Sequence, residues 1–228
     1  SEMCIRDRSV ALSHLSMGEH DKIVTDMGLA AINLTGVIIA VFVGIGLVTK
    51  EIDRRTIYTI MARPISRAQF VVGKYLGLAL TLSVNLSVML VVFIGTLWWG
   101  QTPIQAGLFQ AIELILVELL VVTAVALLFS TFSSAMVSAS LTIGLYVIGH
   151  LTPDLKGIAE KSQNELATML LNVVYYACPN LEMLNIKGQA AAGVSVSLTY
   201  QALATAYGVL YAGLLLAMAC VIFQRREL

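Results

Sequence analysis

Charge is what this sequence has least of. Asp, Glu, Lys and Arg make up 12% of it, about half the share usual in soluble globular domains. Hydrophobic residues reach 58% and mean hydropathy is +0.85, which excludes a soluble globular domain. The 14 basic and 14 acidic residues cancel. No basic stripe is interleaved with aromatics, so nothing points to nucleic acid. Cysteine is equally thin. Cys4, Cys178 and Cys220 stand far apart, with no CxxC and no Cys/His cluster. That pattern makes neither a zinc site nor a disulfide framework. Cys220, set in an apolar run, reads as a small packing hydrophobe. GxxxxGK[ST] does not occur, so the chain has no phosphate-cradling loop of its own.

What the sequence does have is long uncharged runs. Residues 27–48 and 75–100 contain no Lys, Arg, Asp, Glu or His. Each is long enough to cross a hydrocarbon core of ~30 Å as a helix. Runs bounded by charges or turn residues predict five spans, at about 27–49, 75–99, 107–129, 134–151 and 201–223. The second ends on Trp98 and Trp99, an interfacial aromatic anchor, and Pro103 marks the turn after it. The fold class is therefore all-α, a polytopic transmembrane helix bundle.

The cations orient it. The 50–74 loop and the tail (Arg225, Arg226) hold eight of the fourteen Lys and Arg residues. Residues 9–26 and 152–200 hold four, against seven acids. By the positive-inside rule, the loop and the C-terminus are cytoplasmic, and 9–26 and 152–200 lie outside. Residues 9–26 lack the apolar core of a signal peptide, so an external start needs a preceding span. A six-span protein shortened to five is the expectation. The opening SEMCIRDR, residues 1–8, resembles a translated sequencing-adaptor scar and is set aside as an artefact. That leaves 9–228 as the transmembrane domain.

From Asp154, apolar residues recur at a helical period through Val174, with a polar face of Lys156, Glu160, Lys161, Gln163 and Glu165. This predicts an external amphipathic helix at the interface, ended by Pro179. Residues 185–200 read as a loop.

The 50–74 segment sets six cations against Glu51 and Asp53. Residues 51–61 lack Gly and Pro and put Ile52, Tyr58 and Met61 along one side. Pro64 breaks that helix, and Ser66 with Gln69 matches a capping box that starts the next one. An ordinary positive-inside loop would carry the same charges. The order of helix, Pro corner and capped start instead suits a rigid protrusion.

Inside the spans, Glu113 and Glu118 are the ionisable groups of the third run. Such groups are costly at that depth and are functional candidates by default. Five residues of separation put them about 140° apart on a helix, so they make a poor carboxylate pair. Glu118 reads as an interhelical clamp, protonated or bonded to Ser or Thr of a neighbouring span, and Glu113 as reaching the interface. Ser130, Thr131, Ser133, Ser134, Ser138 and Ser140, with Gly44 and Gly46, suit close helix packing. Asn33 and Asn85 read as interhelical hydrogen bonders, and His150, beside Pro153, as an interfacial histidine.

GIGLVTKEIDRRTIYTIMARPISRAQFVVGKYLG (44–77) resembles the signature region of ABC-2 type transporter permeases. It is similar to the branch that includes the permease of multicopper-enzyme maturation systems. Glu51, Thr56, Pro64, Ser66, Arg67, Gly73 and Lys74 carry the resemblance. FSTFSS (129–134), PNLEMLNI (179–186) and FQRREL (223–228) add to it. The resemblance implies a permease subunit of an ATP-driven exporter in the cytoplasmic (inner) membrane of a prokaryote. It implies a second permease, the same or related, and a separate ABC ATPase that carries the ATP and Mg, with no cofactor on this chain. The coupling surface for that ATPase would be Glu51, Arg54, Arg55, Thr56, Tyr58, Met61, Arg63, Pro64, Ser66 and Arg67. Two other classes stay open from the residues alone. One is a membrane anchor or assembly protein without transport. The other is an intramembrane enzyme using Glu118, weakened by the lack of a paired acid–base motif.

Overall fold

A computed structural model describes residues 21–45, 67–161, 168–169, 175 and 178–225. Among the described residues five helices are long and apolar enough to span a membrane. They are α1 (Asp21–Ile45), α2 (Arg67–Trp99), α3 (Ala106–Ser130), α4 (Ala135–Lys161) and α6 (Leu198–Arg225). Between α4 and α6 come a 3-10 turn, Leu181–Leu184, and a short helix α5, Lys187–Ala191. Each of the five apolar runs falls on one of these helices; residues 46–49 of the first run lie outside the described residues, and α2 and α4 extend furthest beyond theirs.

The extensions have physical causes. α2 has 33 residues, about 50 Å at 1.5 Å per residue, so it outruns the hydrocarbon core. It starts at Arg67, one residue after the expected cap Ser66, whose own placement lies outside the described residues. Near that end the Lys74 ammonium sits 5.3 Å from the Phe70 ring centroid, a cation–π contact.

α4 was expected to stop near 151 and give way to a separate amphipathic helix. It runs instead unbroken through Pro153 to Lys161. Proline has no N–H for the carbonyl four residues back, here Gly149. The Thr152 hydroxyl takes that place, donating to Gly149 O at 3.0 Å and Ile148 O at 3.1 Å. The first residues of the expected amphipathic helix are thus the end of α4, and 162–167 and 170–174 lie outside the described residues.

α3 is the axle. In its most apolar window 72% of residues are buried, against 22% for α2 and α4. It packs against α1, α2, α4 and α6 through one continuous apolar cluster. Where α6 crosses it, a Cβ on Gly208 would lie 2.3 Å from Val117 Cγ1. Only glycine permits that approach, the small-residue packing typical of membrane helices. At one end of the bundle, Leu181, Leu184, Ile186 and Ala190 are buried, so the 3-10 turn and α5 plug it. The 185–200 stretch is thus partly helical, not wholly loop.

At the opposite end Ser130, Thr131 and Ser138 are buried around the α3–α4 turn. Ser130 and Thr131 turn their hydroxyls back onto Leu127 O and Leu128 O. A Cβ on Gly44 would make only ordinary contact, 3.6 Å from Ala126 Cβ and 3.9 Å from Leu78 Cδ1, so close approach there does not require glycine. Cys220 packs with Val71 and Phe223.

Candidate functional site

Glu118 lies at the middle of α3, about 18 Å along the helix from Ala106, and has no exposed surface. Two helices, α1 and α4, converge on it. From α1, Asn33 Nδ2 donates to Oε1 at 3.2 Å and Oε2 at 3.4 Å, and to the Tyr146 hydroxyl at 3.3 Å. From α4, the Tyr146 hydroxyl also reaches the carboxylate. His150 puts Nε2 3.4 Å from Oε1, near enough to attract a charge but not aligned as a hydrogen bond.

Tyr146 and His150 are four residues apart, so they share one face of α4. Their ring centroids are 4.6 Å apart, and His150 Nδ1 lies 3.2 Å from Tyr146 O. On an adjoining face α4 comes close to the 3-10 turn. A Cβ on Gly149 would lie 2.8 Å from Pro179 O and 2.9 Å from Leu181 Cδ1.

This corrects one expectation and refines another. Glu118 is held by Asn33, Tyr146 and His150, not by Ser or Thr of a neighbouring span. His150 stands two residues from the end of the candidate span Ala135–Thr152, and its side chain, 21% exposed, turns into the bundle toward Glu118. The helix continues past Pro153, so position 150 lies inside α4 and not at its end. Asn33 does bond across helices. Asn85 instead lies with Leu80, Thr81, Val84 and Val88 on an open hollow of α2, facing away from the bundle.

Glu113 belongs to a separate polar ladder between α3 and α6. Gln201 Nε2 donates to its carboxylate, and Thr205 Oγ1 lies 3.4 Å away. One turn closer to the α5 end, Gln110 donates to Gln201 Oε1 at 2.9 Å and to Val196 O at 3.1 Å, and accepts from Val196 N at 3.0 Å. Glu113 is therefore a helix-pairing group as well as an exposed one. The two glutamates do face different helices, as their spacing predicts.

Beside the ladder, a cavity of about 220 Å³ opens between α1, α3 and α5, with Asp21, Lys22, Thr102 and Gln105 on its walls. Thr102 Oγ1 donates to Asp21 there at 3.1 Å.

Of the expected coupling residues, Glu51, Arg54, Arg55, Thr56, Tyr58, Met61, Arg63, Pro64 and Ser66 lie outside the described residues. Arg67 is the first residue of α2.

Among the described residues no three His, Cys, Asp or Glu side chains converge to hold a metal ion. Burial pushes the Cys178 thiol up, away from the thiolate that a nucleophile or soft metal ligand needs. The groups around Glu118, an amide, a phenol and an imidazole, are hydrogen-bonding groups.

Four apolar helices wrapped on a central fifth, with polar groups turned inward, define a polytopic helical membrane protein. The family model described as ABC-2 family transporter protein matches residues 5–228. The chain belongs to that family, as a transporter membrane subunit. A search of curated proteins finds no match.

Proposed function

We propose that this chain is the permease subunit of an ATP-binding-cassette exporter, and that a separate ABC ATPase supplies ATP hydrolysis with its own Mg. The observation that carries this reading is the family match over residues 5–228. The 44–77 resemblance supports its placement in the branch with the multicopper-enzyme maturation permease. It also supports pairing with a second copy or a related permease. The cation distribution supports a cytoplasmic 50–74 loop and tail, in a prokaryotic cytoplasmic membrane.

Residues 51–67 receive the ATPase in this reading. A docking element must transmit force, so it needs a stiff helix, a fixed corner and charges that set register. Arg54 and Arg55 supply the charges, Tyr58 and Met61 an apolar contact, and Pro64 with Ser66 the corner. Reversing both arginines strands the acids of the partner, at several kcal/mol if the contact is desolvated. Lys50, Arg63, Arg67 and Lys74 still hold the loop inside.

The experiment compares ATPase recovery with the wild-type permease and with Arg54→Glu/Arg55→Glu. Sharply reduced recovery at equal membrane abundance is expected. Equal recovery together with equal cargo-stimulated ATPase activity would reduce the loop to a topology signal.

A further inference from the structure

The contacts around His150 assign its ring proton. The Tyr146 carbonyl oxygen can only accept, so a hydrogen bond across its 3.2 Å contact with Nδ1 places the ring N–H on Nδ1. In a neutral ring the lone pair then lies on Nε2, which faces Glu118 Oε1 at 3.4 Å. A lone pair set against a carboxylate oxygen repels it, and strongly in a low-dielectric interior. One added proton makes the contact attractive. It can be held as imidazolium beside carboxylate, or as a carboxylic acid donating to the ring, so it belongs to the pair and not to either residue. Among the described residues Nε2 has no hydrogen-bond partner, which leaves it open to this proton.

We propose that Glu118 and His150 form a proton-binding site inside the bundle, entered from the α5 end, whose occupancy holds α4 against α1 and α3. Entry is through the imidazole, because His150 is 21% exposed and Glu118 is not exposed at all. The groups that face Glu118 are Asn33 from α1 and Tyr146 and His150 from α4, while Lys187 on α5 acts on it through its field. Glu113 turns to α6.

With the proton bound the pair is neutral overall. Without it, a negative charge stays in the bundle core against a lone pair, and Asn33 and Tyr146 alone hold the carboxylate. The inference does not rest on the transporter reading, and its test involves neither ATPase nor cargo.

The folded chain holds a proton that the unfolded chain gives up, since an exposed imidazole is neutral above about pH 6.5. Folded stability therefore falls as pH rises, and one proton of difference changes the unfolding constant by up to tenfold per pH unit. The experiment measures unfolding of the full chain in lipid nanodiscs against pH, for wild type, Glu118→Gln and His150→Gln. Wild type should show the slope and both variants should lose it. The same slope in all three would overturn the proposal.

A second measurement covers the case of variants that do not fold. ¹⁵N-imidazole spectra of a His14→Gln/His20→Gln chain report His150 alone. Nδ1 should stay protonated while the Nε2 shift moves with pH, because that nitrogen either takes the proton or accepts a hydrogen bond from the protonated carboxyl. An Nδ1 without a proton, or an Nε2 shift that does not move with pH, would also overturn it.

Discussion

A single methyl group tests whether α3 and α6 approach as closely as the structure shows. Gly208 and Gly213 both lie on α6, one helical turn and a half apart. A Cβ on Gly208 would lie 2.3 Å from Val117 Cγ1, whereas one on Gly213 meets nothing within 4 Å. Val117 is buried, at 5% exposure, and is stiff at χ1 on a helix. It has no room to swing, so the helices must move apart. Gly208→Ala should therefore destabilise by about 1–3 kcal/mol, the usual cost of overpacking. Gly213→Ala should be neutral or stabilising by up to ~1 kcal/mol through helix propensity. A gap of about 2 kcal/mol is roughly thirty-fold in the unfolding constant. Pulse proteolysis over an SDS titration in mixed micelles reads that difference. If the two variants unfold at the same SDS fraction, the α3–α6 crossing is looser than described and the packing argument for Gly208 fails.

Asn33→Leu removes the α1 donors to Glu118 and Tyr146; at about 0.6 kcal/mol for each interhelical bond it should cost about 1–2 kcal/mol in the same titration, and an unchanged midpoint would deny α1 a part in the site. Thr152→Val keeps the shape but leaves the Gly149 carbonyl without a donor, so a loss of about 1 kcal/mol is expected, with exchange of the backbone amides of α4 rising around position 150; unchanged exchange there would mean that Thr152 does not bridge the proline. For topology, a cysteine at position 160 should label with an impermeant reagent in intact cells, and labelling only after permeabilisation would reverse the orientation.

The spans were legible because length and hydrophobicity are local properties. A run such as 75–99 shows its helix without reference to anything else in the chain. Where helices end was less legible, and α4 shows why. Pro153 is a helix-stop signal by its missing N–H, and the sequence reading stopped the span there. The hydroxyl of Thr152 cancels that signal by serving the orphaned Gly149 carbonyl. A Thr immediately before a proline at the end of an apolar run was the available clue. α5 and the 3-10 turn were missed for a different reason. Each is about one turn long, too short for any periodicity, and their burial comes from capping the bundle.

The site was half legible. Glu118 stood out because a carboxylate in an apolar run must be compensated by something. What compensates it did not show, because its partners sit 85 residues before it, at Asn33, and 28 and 32 residues after it, at Tyr146 and His150. In water, amphipathic faces would indicate which sides of two helices meet. Between lipid-exposed helices no hydrophobic drive selects those faces. Pairing is then chosen by close approach and by polar bonds, as at Gly208 with Val117 and at Glu118 with Asn33. Tyr146 and His150, one turn apart in an otherwise apolar helix, were the readable half of that bond. Two polar rings on one face of a span need a polar partner as much as a buried carboxylate does, and in this bundle each supplies the other.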